Sequence, residues 1–140
     1  MTGDIQSDAP AIVPFLKRDE SGKPYLAGSR CGACGQIFVG ERGVCVKCTA
    51  RGRMVPVHLA ETGKLYDFTV VYRSFPGVAV PFVDAIVDLD DGSHIKGTLL
   101  DIDPDPEKIE FDMPVRLIYQ EAMPVNGGGK PYLAYFFVPA

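Results

Sequence analysis

A mainly β chain in two lobes, a short metal-stapled module followed by a small closed barrel, is what three features of the sequence predict. Four cysteines stand as two Cys-x-x-Cys pairs, Cys31 with Cys34 and Cys45 with Cys48, and they are all the cysteines in 140 residues. Beyond residue 53, short runs of alternating apolar residues are separated by Gly, Pro and Asp turn signals. No stretch keeps the 3.6-residue apolar period of a long helix.

Residues 1–22 read as a tail and docking segment. Met1 to Pro10 carries acids and no apolar run, so no leader is expected and a cytoplasmic, reducing setting follows. Pro14-Phe15-Leu16 is a small apolar cluster, cut off by the turn residues Asp19, Glu20, Ser21 and Gly22 before an amphipathic helix can form. Phe15 and Leu16 must either fold back on the next lobe or meet a partner, and the partner is the favoured expectation.

Residues 23–53 form the first lobe. Lys23 to Ala27 enters the first cysteine pair as a strand, and Gln36 to Val39 leaves it as another. Two tight turns then present four thiolates at the spacing a tetrahedral ion with bonds of about 2.3 Å requires, which is a zinc ribbon. Gly32 and Gly35 free the backbone to turn around the sulfurs, and Lys47 offsets part of the thiolate charge. A site filled by Cys31, Cys34, Cys45 and Cys48 has no position left for water, so the zinc is expected to be structural. Iron in a rubredoxin-like centre shares the geometry and is the lesser alternative; disulfides conflict with the expected compartment, and a redox pair lacks its strand-to-helix context. Arg42, Lys47, Arg51 and Arg53 surround the second pair. They are either solvated surface or, for the first three, a landing place for the phosphates of a nucleotide-like ligand such as coenzyme A.

Residues 54–140 are expected to build the barrel. Val55, Val57 and Leu59 alternate with polar positions, and Leu65 to Arg73 follows with Tyr66, Phe68, Val70 and Tyr72 on one face, so a hairpin is predicted. Ser74 to Pro81 is broken by two prolines and a glycine yet is short of charge, which marks Phe75, Val78, Val80 and the adjoining Phe82 as candidate partner contacts. Strands are expected over Phe82 to Leu89, His94 to Leu100, Pro114 to Glu121 and Tyr132 to Val138, with turns at Asp90 to Ser93 and Asn126 to Gly129. Asp101 to Pro106 opens at most one helical turn. Six strands without a long helix come nearest to the five-stranded OB-fold, one strand being split or spare. Gly22 to Ala27 recurs letter for letter as Gly129 to Ala134. With unmatched flanks, this reads as one turn-then-strand solution used twice.

Catalytic machinery is not expected. His58 and His94, the two histidines, fall within strand patterns, and no cysteine is left over as a nucleophile. The acids from Asp101 to Asp112 lack the glycine of a calcium loop, and no phosphate-cradling or dinucleotide motif is present. Charge is uneven: residues 1–53 carry +3 and residues 54–140 carry −7. Four thiolates with one divalent ion take the basic lobe down to about +1, which counts against nucleic acid as a ligand. No apolar run reaches the roughly 18 residues of a membrane span.

Taken in order, the two cysteine pairs, Thr62-Gly63-Lys64-Leu65-Tyr66-Asp67-Phe68-Thr69-Val70-Val71, the proline-rich loop to Pro81-Phe82, and Phe111-Asp112-Met113-Pro114-Val115 resemble the DUF35 family, from about Pro14 to Ala140. The resemblance implies a rubredoxin-like zinc ribbon joined to an OB-fold. It also implies a non-catalytic accessory subunit of a thiolase-superfamily enzyme acting on acyl-CoA, the large subunit supplying the catalytic cysteine and histidines. Cys31, Cys34, Cys45 and Cys48 carry over as metal ligands. The Phe15-Leu16 cluster and the Phe75 to Phe82 loop become expected contacts, and a wall of the acyl-CoA channel is a further expected role. A degradative complex, cleaving aromatic or fatty-acid-like CoA esters, is preferred. The alternatives are a partner of a hydroxymethylglutaryl-CoA-synthase-type or polyketide-forming condensing enzyme, and a zinc-ribbon/OB-fold nucleic-acid-binding protein.

Overall fold

A computed structural model describes residues 9–74, 76–123 and 129–140, and the elements among these are all strands. Around β2 (Pro24–Cys31) gather β1 (Leu16–Arg18), β3 (Ile37–Val39) and β4 (Met54–His58) in one small sheet. A second set, β5 (Thr62–Val71), β6 (Phe82–Leu89), β7 (His94–Leu99), β8 (Pro114–Ala122) and β9 (Tyr132–Pro139), closes into a barrel in the order β5-β6-β7-β9-β8. Only β7 and β9 run parallel; every other pairing in the barrel is antiparallel. This is the closed five-strand OB arrangement.

The spare strand of the sequence has a definite home. Met54–His58 does not form the predicted hairpin with β5; it pairs with β2, from Ala27↔His58 to Cys31↔Met54. The reason is edge saturation. A strand has two edges, and β5 gives one to β6 and the other to β8. The small sheet therefore runs to His58, and the barrel strands begin at Thr62.

Alternation along the barrel strands produces the core. β6 buries Val83, Ala85, Val87 and Leu89, and β8 buries Val115, Leu117 and Tyr119, each set at every second residue. β5 departs from this rhythm. Its register to β6 shifts between Leu65 and Asp67, a β-bulge. Leu65 stays buried and Phe68 and Val70 return to the core side, while Tyr66, expected on their face, turns outward. A period-2 reading has no means of seeing the inserted residue.

The amino-terminal stretch also differs from expectation. Leu16, expected at a partner surface, is 2% exposed and lies in one apolar cluster with Leu26, Leu59 and the barrel interior. Its place opposite Leu26 in the β1–β2 register turns it inward. Phe15 is half-buried, its ring 6.0 Å from that of Tyr135 on β9. Upstream, Ile12 N donates to Leu133 O and Leu133 N to Pro10 O, both at 2.8 Å. One short stretch thus touches both copies of the repeated hexapeptide, at Leu26 and at Leu133. In both copies the leading glycine has positive φ, +86° at Gly22 and +79° at Gly129, and the leucine is buried.

Only Leu59, Ala60 and Glu61 separate β4 from β5. Leu59 N donates to Leu26 O at 2.9 Å, Ala60 N to Asp91 Oδ2 at 2.8 Å, and Glu61 O accepts from Leu117 N at 2.8 Å. The join is bonded at every residue. No helix of the described residues is long and apolar enough to cross a membrane.

Candidate metal centre

Each cysteine pair sits in the same turn. In the first, Gly35 N donates to Cys31 O at 2.8 Å with Gly35 at φ +83°; in the second, Thr49 N donates to Cys45 O at 2.7 Å with Thr49 at φ +65°. The residue after the second cysteine must adopt a left-handed backbone, and one turn meets this with glycine and the other with threonine. Gly32 N donates to Arg53 O at 2.8 Å, and a Cβ at Gly32 would lie 2.9 Å from that oxygen. Close approach of the first turn to the backbone at Arg53 therefore needs glycine at 32.

The four Sγ atoms lie within 4.8 Å of one another, with Cys31 to Cys48 and Cys34 to Cys45 at 3.6 Å. Bonds of about 2.3 Å to a tetrahedral centre give sulfur–sulfur edges of roughly 3.8 Å. The cluster can hold a metal ion with little rearrangement, and four protein sulfurs complete its coordination. Cys31 and Cys45 are buried; Cys34 and Cys48 are exposed.

Local electrostatics prepares some sulfurs and resists others. The backbone N–H of Cys34 brings the Cys31 thiol down to about 6, burial opposing and the Ala33 N–H adding to the effect. At Cys45 burial raises the value, but the N–H groups of Cys48 and Lys47 outweigh it and the net shift is downward. Cys48 moves the other way. The Ala50 N–H favours its thiolate, but partial loss of water and the three neighbouring sulfurs push it up to about 11. A cation among the sulfurs favours the thiolate form at each of them.

The candidate cations each have their own neighbours. Arg42 lies over the Phe38 ring at 5.0 Å and lines a groove of about 410 Å³ with Lys17, Tyr25, Glu41 and His58. Lys47 and Arg51 are exposed outside that lining; Lys47 Nζ donates to Gln36 Oε1 at 3.4 Å, and Arg51 bridges to Val44. Of the loop contacts, Val80 is exposed and Val78 and Phe82 are half-buried, while Phe75 lies outside the described residues. Sequence reasoning missed the stacking of Tyr25 on His58, whose rings are 3.7 Å apart and 13° from parallel. It also missed the strain at Thr49, which the matching spacing of Cys-x-x-Cys-Gly and Cys-x-x-Cys-Thr could have revealed.

On the outer face of β6 and β7, ionisable side chains bond one another across the strands. Asp84 pairs with Lys96 at 3.0 Å and Asp88 with His94 at 2.6 Å. Both histidines are thus engaged, one with a tyrosine ring and one with a carboxylate.

Comparison with known proteins gives consistent results. Residues 56–120 match the family described as ChsH2, C-terminal OB-fold domain. A DUF35 domain-containing scaffold protein of Methanothermobacter thermautotrophicus is 31% identical, 69% of this chain aligning with 75% of the relative. The benzoylsuccinyl-CoA thiolase subunit BbsA of Geobacter metallireducens is 32% identical, across 96% of this chain and 86% of the relative. Among solved structures, the Ltp2-ChsH2(DUF35) aldolase superposes with a TM-score of 0.65 at 30% identity, covering 82% of this chain and 84% of that one.

Proposed function

The chain belongs to the DUF35 family, and from that premise we propose that it is the non-catalytic accessory subunit of a thiolase-like enzyme acting on CoA esters. The observation that carries this reading is the likeness to BbsA, a thiolase subunit, along 96% of the chain. The site chemistry agrees. Four sulfurs that complete a metal's coordination leave no open position for substrate, so the metal centre holds structure and the partner holds the reaction.

We assign zinc to the site, because four thiolates in a tetrahedron suit it best. We assign to Phe15, Val78, Val80 and Phe82 a part in the contact with the catalytic subunit, and to Arg42, Lys47 and Arg51 contact with the phosphates of CoA where that subunit completes the pocket. Thiolytic cleavage of a CoA ester is the preferred direction. A nucleic-acid reading is weaker on physical grounds. An OB-fold that binds single strands needs uncompensated cations on its face, whereas Lys96 here is paired with Asp84.

Affinity purification of the tagged full-length chain from its native host is the test. A thiolase-like protein is expected to copurify in fixed ratio, and thiolysis of CoA esters is expected from the complex and not from the isolated chain. Turnover by the isolated chain, or recovery without any thiolase-like protein, would overturn the reading.

A further inference from the structure

Resting on the zinc assignment made above, we propose that the four sulfurs are also a hydroperoxide-responsive switch: disulfides close between the two turns, Cys48 with Cys31 and Cys34 with Cys45, and the metal is released. Both pairs cross from one turn to the other, with their sulfurs 3.6 Å apart. A disulfide is about 2.0 Å long, so closing either one takes less than about 1 Å of travel from each sulfur. The chain has no further cysteine to compete for an oxidised sulfur.

Exposure separates the roles within each pair. Cys48 and Cys34 are exposed, whereas Cys31 and Cys45 are 1% and 0% exposed. A hydroperoxide therefore meets Cys48 or Cys34 first, and the sulfur behind it is shielded from direct oxidation. The Cys48 sulfur attacks the outer peroxide oxygen; the O–O bond breaks, an alcohol leaves with a proton from solvent, and Cys48 becomes a sulfenic acid. The Cys31 thiolate then attacks the Cys48 sulfur; the S–O bond breaks, and water leaves with a second proton. The hydroperoxide gains two electrons, one from each sulfur. Zinc has no redox chemistry of its own, so sulfur supplies both. Cys34 and Cys45 repeat the step with a second hydroperoxide.

The first disulfide removes half of the ligand set, and the hold on the metal goes with it. Direction decides what is left behind. Bonds from Cys31 to Cys48 and from Cys34 to Cys45 join the same two turns that the metal joins, so the oxidised lobe stays stapled without the ion. Bonds within the turns, Cys31 to Cys34 and Cys45 to Cys48, would leave each turn free of the other, as chelation does.

The test treats the zinc-loaded full chain with a molar excess of hydrogen peroxide, reading released zinc with an indicator dye and the sulfurs by mass spectrometry after trypsin. Cleavage after Arg30, Arg42, Lys47 and Arg51 puts Cys31 and Cys34 on one peptide, Cys45 on a second and Cys48 on a third. Loss of the bound zinc is expected, with one species joining all three peptides and fragmentation placing Cys31 with Cys48 and Cys34 with Cys45. A dithiol reductant is expected to restore zinc binding. Amides at 31–35 and 45–49 are expected to keep their hydrogen-exchange protection in the oxidised chain and to lose it in the chelated, reduced chain. A purified chain that binds no zinc would overturn the zinc assignment. Zinc bound but retained through the peroxide treatment, sulfinic acid in place of disulfides, or any other pairing would overturn the switch alone. Loss of protection at both turns in the oxidised chain would overturn the staple.

Discussion

Thr49 is where a single side chain is most at odds with its backbone. It repeats the role of Gly35 with a β-branched residue at φ +65°. Thr49→Gly is expected to raise stability by about 1 kcal/mol, and Gly35→Ala to lower it by about 1–2 kcal/mol, both read from chemical denaturation of the metal-loaded protein. An equal loss for both would show that the turns are not equivalent. At this scale the sequence was most informative. Four cysteines at fixed spacing place their own sulfurs, because two tight turns admit few arrangements, and their clustering was legible from the spacing alone. Arg42, Lys47 and Arg51 were not legible in the same way. Long exposed side chains are directed by what they lie against, here the Phe38 ring and Gln36, and that is tertiary information.

Among the elements, β1 most needs separating from the role its sequence suggests. A docking strand would tolerate truncation of Leu16 within about 0.5 kcal/mol, the usual range for surface positions. Buried as it is, Leu16→Ala is expected to cost about 2–5 kcal/mol of unfolding free energy, against a smaller loss for Phe15→Ala. A surface-like value for Leu16 would return it to the interface. The barrel strands were readable because alternation marks an inward face. Edge choice was not: nothing in Met54–His58 declares whether it pairs with β5 or β2. The bulge at Tyr66 was equally hidden, since one added residue preserves the composition while reversing the face. Room decides some of these choices. A Cβ at Gly28 would lie 2.7 Å from Phe38 O and also strike Leu59, so glycine on β2 is what lets the chain leaving β4 lie close.

For the whole molecule, metal and barrel are expected to part company under chelation. Removing a metal that bridges the two turns should fray them at 31–35 and 45–49, while barrel amides keep their protection in hydrogen exchange. Binding to the catalytic subunit should weaken in the same titration. Loss of protection throughout would mean that the barrel cannot stand without the metal lobe. The three-residue join bears on what such a molecule can recognise. With Leu59, Ala60 and Glu61 each bonded in place, the chain works like a gauge block of set span. Contacts on the two lobes reinforce each other only for a partner whose own spacing matches, and then by raising effective concentration without any added contact. A partner mismatched by a few ångströms gains one grip and forfeits the other, so fidelity in assembly resides in a distance.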